Sequence, residues 1–220
     1  MGAFLVFEGP EGAGKSSQAR ALTSQLSQAG YPVVFSREPG GTMLGEAIRQ
    51  ILLPATPVAI SPRSEVLLYS ASRAQLVEEV IRPALEQGQV VVSDRFSHST
   101  IAYQGYGRGL GVEPVASVVR FATDNLEPDL VILLDLEPRL GLERKRGDFL
   151  TGSTEEWNRF EEEELAFHQR VRQGYLEMAK ADPERWLVLD ASLPFETLQD
   201  KIKEAVSILL DRKRVLRRPA

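Results

Sequence analysis

The run Gly9-Pro10-Glu11-Gly12-Ala13-Gly14-Lys15-Ser16 matches G-x-x-x-x-G-K-[ST], a pattern that dictates both a local shape and a ligand class. The shape is a strand that breaks into a glycine-rich loop and re-enters as a helix. Both flanks comply: Ala3-Phe4-Leu5-Val6-Phe7 is a short apolar run, and Ser17 to Gln28 is rich in the helix formers Ala, Leu and Gln. Glycines let such a loop turn tightly, so successive backbone N–H groups converge on phosphate oxygens at a helix N-terminus. Gly9, Pro10, Glu11, Gly12, Ala13, Gly14, Lys15, Ser16 and Ser17 are therefore the expected cradle of a nucleoside triphosphate. Lys15 is placed to reach the β- and γ-phosphates, and the Ser16 hydroxyl to ligate Mg²⁺.

Four further strand-like runs follow, Val33–Phe35, Val90–Val92, Leu130–Leu134 and Trp186–Leu189. Most are near-continuous in Val, Leu, Ile or Phe, as suits strands covered on both faces. Helical segments of ten or more residues separate them, which implies right-handed crossovers and an α/β fold with a mostly parallel five-stranded sheet flanked by helices. Ligands gather at the C-terminal edge of such a sheet. The residues to read are thus Glu8–Ser16, Ser36–Thr42, Ser93–Thr100 and the stretch from Asp135 onward.

A chain of 220 residues builds one well-buried domain of this kind, over 1–220, and is short for two. Cysteine is absent, which excludes disulfides, zinc–thiolate sites and thiol catalysis and fits a cytoplasmic location. Met1-Gly2 begins like a myristoylation signal, but Val6 stands where Ser or Thr is required. No stretch has the length of a membrane span, and no membrane partner is expected. The net charge of −5 argues against a nucleic-acid partner. An acidic protein that binds anionic nucleotides must concentrate its arginines locally.

Helix signals are plain. Ser61-Pro62 reads as an N-cap with proline at the first helical position, opening a helix to about Gln87. Leu44, Ile48, Ile51 and Leu52 form an apolar stripe at helical spacing. Trp157, Phe160, Phe167, Val171, Tyr175 and Met178 suit one long amphipathic helix. Between them, Gly147 to Ser153 has the composition of a loop and is flanked by basic residues, so a short lid is expected over about 144–159. Glu161–Glu164 reads as a solvated helix face. Arg212-Lys213-Arg214 with Arg217-Arg218 reads as a helix end and terminus. His98 and His168 read as structural or polar-surface residues, and Lys145 as a cation at a helix C-terminus.

Ser93-Asp94-Arg95-Phe96 follows a strand, so it belongs beside the phosphate loop. A carboxylate there can hold Mg²⁺ through its water shell or accept a proton, and the guanidinium offers a fork to phosphate. Arg37-Glu38-Pro39-Gly40-Gly41 places another arginine at a strand's C-terminal edge on a rigid turn. Tyr69 and Arg73, four apart, share a helix face. They could stack on and hydrogen-bond a base, or equally serve as a core aromatic and a surface arginine.

Phe7 to Ser16, Arg37-Glu38-Pro39-Gly40-Gly41-Thr42, Ala71-Ser72-Arg73-Ala74-Gln75, Asp94-Arg95-Phe96 and Ala102-Tyr103-Gln104-Gly105 occur in order. With Asn158-Arg159-Phe160-Glu161 and Phe167 to Tyr175, this set resembles the bacterial thymidylate kinase (dTMP kinase) family over about residues 3–190. The resemblance implies the P-loop nucleoside-monophosphate-kinase fold, a homodimer, and conversion of dTMP to dTDP with ATP and Mg²⁺. It implies that Arg37 and Arg95 grip the acceptor phosphate and that Tyr69 and Arg73 meet thymine; Arg49, beside the apolar stripe of its helix, either adds to the grip or lies on a solvated helix face. Ser99, Thr100 and Gln104 join that substrate site, and Tyr103 crowds the sugar C2′ against ribose. Glu11 would touch the region of the sugar 3′-hydroxyl. Because no arginine stands in the loop, the resemblance moves the catalytic arginine to the lid, where Arg144, Arg146 and Arg159 are candidates beside the catalytic Lys15, Asp94 and Arg95. Gly147–Glu156 lengthens the lid relative to the shortest family pattern.

Another nucleoside or nucleotide kinase would share the loop. A P-loop GTPase would need an N-K-x-D guanine reader and a D-x-x-G after the proper strand, and neither is present.

Overall fold

A computed structural model describes residues 2–54, 59–152 and 158–217. Its centre is a five-stranded parallel sheet in the order β2-β3-β1-β4-β5. The strands are β1 (Ala3–Glu8), β2 (Val33–Arg37), β3 (Val90–Asp94), β4 (Leu130–Asp135) and β5 (Trp186–Asp190). All five apolar runs are strands, each extended by one or two residues. Register fixes the functional edge: Phe7 and Arg37 both pair with Asp94, and Asp135 pairs with Asp190. The ends of these strands therefore present Glu8, Arg37 and Asp94 side by side.

The pleat sends alternate residues to two cores. Leu5, Phe7, Val92 and Ile132 pack under α1 (Lys15–Gln28) and α9 (Phe195–Lys213). Phe4, Val6 and Val91 face Leu76, Val77, Ile81 and Phe96. Val131 and Leu133 lie under Phe167, Val171 and Tyr175 of α8 (Leu165–Ala181). Near-continuous apolar strands thus serve a sheet with helices on both faces. Between β2 and β3 run α2 (Met43–Leu52), α3 (Pro62–Leu76) and α4 (Arg82–Glu86). Between β3 and β4 run α5 (Ser97–Thr100) and α6 (Val112–Thr123), and α7 (Pro138–Leu150) follows β4.

Several sequence expectations need correction. The Ser61–Gln87 segment starts as expected, with Ser61 Oγ accepting from the Ser64 amide at 3.3 Å. It then opens into a π-helical stretch over Val77–Ile81 before α4. Pro83 has no amide to donate and its ring crowds the preceding turn, and the wider turn accommodates it while keeping Leu76, Val77 and Ile81 on the sheet. Of the apolar stripe expected on α2, Ile48 and Leu52 are buried, and Leu44 and Ile51 are exposed.

The long helix expected from Trp157 begins only at Leu165, and Trp157 itself lies outside the described residues. Asn158 stops it. Its Oδ1 accepts from the Phe160 amide at 3.0 Å, its carbonyl from Glu161 at 3.1 Å, and its own amide donates to Glu161 Oε2 at 2.9 Å. Four successive glutamates also disfavour a helix there by mutual repulsion. The expected loop at Gly147–Ser153 is helical as far as Leu150, since Pro138 and a Glu137 side-chain cap start α7 and nothing crowds Gly147. Ser153–Glu156 of the lid lie outside the described residues, as do Met1 and Arg218.

Candidate active site

At the C-terminal edge of β1, β2 and β3 lies a cavity of about 490 Å³. Behind its lining residue Ser99 lies Glu8, the last residue of β1, which is fully buried. The carboxylate accepts from the Phe96 amide at 3.0 Å, the Ser99 amide at 3.1 Å, Ser99 Oγ at 2.6 Å and Tyr175 Oη at 2.9 Å. Burial pushes its pKa upward although Arg95 and these donors pull it down.

Beyond β1 the glycine-rich loop takes the shape its sequence demands. Gly9 has φ +141°, and a Cβ there would run into the Leu134 carbonyl. Gly12 lies against the Gly141 backbone of α7. Gly14 begins α1 at φ 83° and supplies no side-chain cap, which leaves first-turn amides for an anion. Lys15 Nζ donates to the Pro10 carbonyl at 2.6 Å. Burial, helped by the neighbouring Arg95, lowers its pKa to about 8 against the pull of Glu11, Asp94 and Glu8. Ser16 Oγ donates to Asp94 Oδ2. A hydroxyl and a carboxylate at the mouth of a phosphate loop form a hard-oxygen pair of the kind Mg²⁺ takes together with phosphate oxygens. The described residues contain no cluster of three His, Cys, Asp or Glu that could hold a metal unaided.

Arg95 is the hub. Its backbone sits at φ 73°, a left-handed conformation unusual for a non-glycine residue. One guanidinium nitrogen donates to the Gly9 carbonyl at 3.2 Å and Ser99 Oγ at 3.0 Å, the other to Glu11 Oε1 at 3.1 Å. The Tyr103 ring lies 5.1 Å from its guanidinium carbon, and Tyr103 Oη donates to Glu11 Oε1 at 2.6 Å. Burial alone would raise the Glu11 carboxyl, but Arg95 and Lys15 outweigh it and hold it below its ordinary value. Glu11 thus sits near phosphates without a repulsion problem, because Arg95, Lys15 and Tyr103 surround it.

The opposite wall comes from α2, α3 and the Ser97–Gly107 segment. Arg73 is 1% exposed, so it is no surface arginine. Its Nε donates to Glu38 Oε2 at 2.8 Å, and one terminal nitrogen to the Phe96 carbonyl at 3.1 Å and Thr100 Oγ1 at 3.0 Å. Its other terminal nitrogen is buried with no partner, and so is Glu38 Oε1. Burial raises the Glu38 carboxyl to about 7 in spite of Arg73. Tyr69, Thr100 and Gln104 line the same wall, and burial raises the Tyr69 hydroxyl pKa. At the mouth, Arg37 pairs with Glu46 at 3.4 Å and Arg49 donates to the Pro39 carbonyl at 2.9 Å.

Sixteen expected residues line this one cavity: Glu11, Gly12, Gly14, Lys15, Ser16, Ser17, Arg37, Arg49, Tyr69, Arg73, Asp94, Arg95, Ser99, Thr100, Tyr103 and Gln104. Gly9 and Pro10 serve through their carbonyls, and Ala13 packs into the core. The lid arginines are not drawn in. Arg144 donates to the Ala191 carbonyl at 2.9 Å, Arg146 lines a separate groove beside Leu165, and Arg159 reaches Glu65 Oε1 at 2.6 Å and the Leu52 carbonyl at 2.6 Å. Lys145, read as a helix-end cation, is the basic residue of α7 that lines the cavity, 3.9 Å from Glu161.

Glu161 is buried rather than solvated. Burial and the charge of Glu11 raise its carboxyl to about 7. His168 is also buried, with Nδ1 3.9 Å from Glu11 Oε2, and His98 packs edge-on against Trp186. Both are interior residues, so the structural reading fits them and the surface one does not. Sequence reading assigned no site role to Arg20 and Glu38, which line the cavity, or to Glu65 behind its wall. Arg20 lies four after Ser16 on α1, and Glu65 four before Tyr69 on α3, so helical spacing alone marked both.

A family model described as thymidylate kinase matches residues 7–202. The chain belongs to the thymidylate kinase family. It is 50% identical over 208 residues to a thymidylate kinase of Roseiflexus sp., covering 92% of each chain. With that of Herpetosiphon aurantiacus it shares 47% over 225 residues, covering 94% of this chain and 95% of the relative. The crystal structure of thymidylate kinase from Ehrlichia chaffeensis superposes with a TM-score of 0.74 at 29% identity, over 93% of this chain and 98% of that one. As a family member the chain is a nucleotide-binding kinase with the P-loop nucleoside-monophosphate-kinase fold. Among the described residues no helix is long and apolar enough to cross a membrane.

Proposed function

We propose that this cavity is where the γ-phosphoryl group of ATP passes to the phosphate of dTMP, giving dTDP and ADP in the supply of dTTP. The observation that carries the reading is continuity. Lys15 and Ser16 of the phosphate loop and Arg73, Thr100 and Gln104 of the opposite wall line one cavity of about 490 Å³, so a triphosphate on the loop faces an acceptor on the wall.

Phosphoryl transfer needs positioning and charge more than proton chemistry. In this reading the loop amides and the Lys15 ammonium hold the β- and γ-phosphates. Arg95 and Arg37, helped by Arg49, hold the acceptor phosphate in line. Tyr69 stacks on the base, while Arg73, Thr100 and Gln104 bond its edge and Ser99 buttresses Arg95. Tyr103 fills the space a ribose 2′-hydroxyl needs, and Glu11 receives the 3′-hydroxyl. Ser16 and Asp94 hold Mg²⁺, which when bound neutralises charge on the bridging phosphate oxygens. Asp94 also orients the attacking acceptor oxygen. Lid cations screen the equatorial oxygens. Lys145 already lines the cavity, and Arg144, Arg146 and Arg159 supply the catalytic guanidinium when α7 and the segment after it close and exclude water.

The reading includes a cytoplasmic homodimer. Leu67 on α3 is 60% exposed and Phe121 on α6 is 89% exposed, and α3 packs beside α6, so two large apolar side chains are available to a second copy. Sedimentation of the purified chain tests the dimer. For the chemistry, the purified enzyme with Mg²⁺ and ATP is offered dTMP, dUMP, AMP, CMP, GMP and thymidine. dTMP is the preferred acceptor, and preference for any other overturns the assignment.

A further inference from the structure

Glu65 lies outside the cavity, on the first turn of α3, and its side chain is 1% exposed. Its two oxygens accept from three side chains. Oε2 receives Gln104 Nε2 at 2.9 Å and Arg108 Nε at 3.2 Å, and Oε1 receives Arg108 at 3.1 Å and Arg159 at 2.6 Å. Arg108 is held in turn by Glu163 at 2.6 Å. A buried carboxylate surrounded by two guanidiniums is an acceptor only, and it forces whatever else meets it to donate.

That constraint falls on Gln104, which lines the cavity wall. An amide can present its oxygen or its NH₂ to a ligand, and the two ends are similar in shape and opposite in meaning. Glu65 takes the NH₂ end, so the oxygen is the end left for the cavity. We propose that Glu65 is the positioning residue that sets the polarity of base reading: by fixing the Gln104 amide it makes position 104 accept from a pyrimidine N3–H and reject a pyrimidine whose N3 is an acceptor, as in cytosine. The inference rests on the reading of Gln104 as a residue of the base site and deepens it. Glu65 touches no ligand, since it acts through Gln104.

The variant Glu65→Gln inverts the logic. A neutral amide at position 65 keeps its oxygen on Arg159 and one Arg108 terminal nitrogen, and its NH₂ falls where Gln104 and the Arg108 Nε now donate. Gln104 must then turn its oxygen toward position 65 and its NH₂ toward the cavity. An orientation that leaves a buried polar group facing its like is strongly disfavoured. The ratio of kcat/KM for dTMP to that for dCMP therefore falls by about tenfold or more. A second change, Gln104→Glu in the Glu65→Gln background, restores an acceptor at position 104 whichever way it turns, and it restores the ratio.

The experiment measures both acceptors with the parent enzyme, Glu65→Gln and the double variant, and follows thermal melting in each. Loss of dTMP over dCMP preference with recovery in the double variant supports the inference. Equal losses on both acceptors, with the ratio unchanged, overturn it. Should Glu65→Gln fail to fold, the parent enzyme decides with 3-methyl-dTMP: use of that compound as readily as dTMP overturns the inference, because the N3–H is then not read, and a loss of about tenfold or more supports it. If the parent does not prefer dTMP at all, the reading of the site has failed. If it does and the ratio is insensitive to Glu65, only this inference has.

Discussion

The contact between Gly12 of the phosphate loop and Gly141 of α7 gives a quantitative test of how tightly the site is positioned. The perturbation is Gly141→Ala. A Cβ built at Gly141 falls more than 1 Å short of the 3.4 Å at which ordinary contact with the Glu11 carbonyl oxygen begins. The obstacle is backbone, which has no rotamer with which to retreat. Either the first turn of α7 or the loop must therefore shift by about 1 Å, and displacement of that size in a phosphoryl-transfer site costs about 10²-fold in rate. Folding moves less, because alanine gains helix propensity of about 0.5–1 kcal/mol over glycine and offsets part of the strain. The control lies on the same helix. Gly147 has nothing within 4 Å of an added Cβ, so Gly147→Ala should raise stability by about 0.5–1 kcal/mol, or about 1–4 °C in Tm, and leave turnover alone. The assay is steady-state ADP release with dTMP in excess and ATP varied, beside thermal melting. Gly141→Ala within about twofold of the parent in kcat/KM for ATP refutes the argument, since the loop would then have accepted the shift without cost.

Two other perturbations read the two ends of the cavity. Arg73→Ala leaves Glu38 buried without its cation, so stability should fall by about 3–5 kcal/mol, and pairing it with Glu38→Gln should recover most of that while kcat/KM for dTMP remains far below that for the parent. Calorimetry and acceptor titration separate the two effects, and equal losses in dTMP use and ATP binding would remove Arg73 from the base site. At the donor end, Lys15→Ala should abolish turnover with the fold kept. In the parent enzyme the Lys15 pKa near 8 means that the free enzyme loses its ammonium above that pH, so kcat/KM for ATP should fall about tenfold per pH unit beyond it. Because folding depresses this pKa, the unfolded chain holds more proton between about 8 and the ordinary lysine value, and the Lys15 contribution to stability becomes more favourable as pH rises through that window. A flat profile for ATP to pH 10 would show that Lys15 keeps its proton in the free enzyme.

The sheet was legible because a doubly covered strand must be apolar almost throughout, and the runs at Phe4, Val33, Val90, Leu130 and Trp186 could hardly be anything else. The donor site was legible for a similar reason: the loop's chemistry and its geometry are written in the same eight residues. The acceptor site was only partly so. Spacing put Tyr69 and Arg73 on one face, yet nothing local says that Arg73 is held by Glu38 from the start of the same crossover, or that Glu65 is buried under two arginines. Such pairings join residues 35 to 94 positions apart and depend on topology. The region after β4 read worst. Glycine and threonine between Gly147 and Ser153 look like a loop, but glycine in an uncrowded helix costs little more than 1 kcal/mol, and α7 continues to Leu150. The apolar periodicity read from Trp157 ran through an Asn158 turn that no helical repeat reveals.

Glu8 has a bearing on how this enzyme could be altered. It lies fully buried behind the active site, with its oxygens spent on the Phe96 and Ser99 amides, Ser99 Oγ and Tyr175 Oη. Any change there unseats α5 and α8 together, so the shape of the pocket there is not separately adjustable. Tyr69 on α3 and Gln104 lie outside α5 and α8, whereas Thr100 belongs to α5 itself. Efforts to admit other nucleobases should therefore work from the side of Tyr69 and Gln104, where a residue can be exchanged without reopening the sheet beneath it.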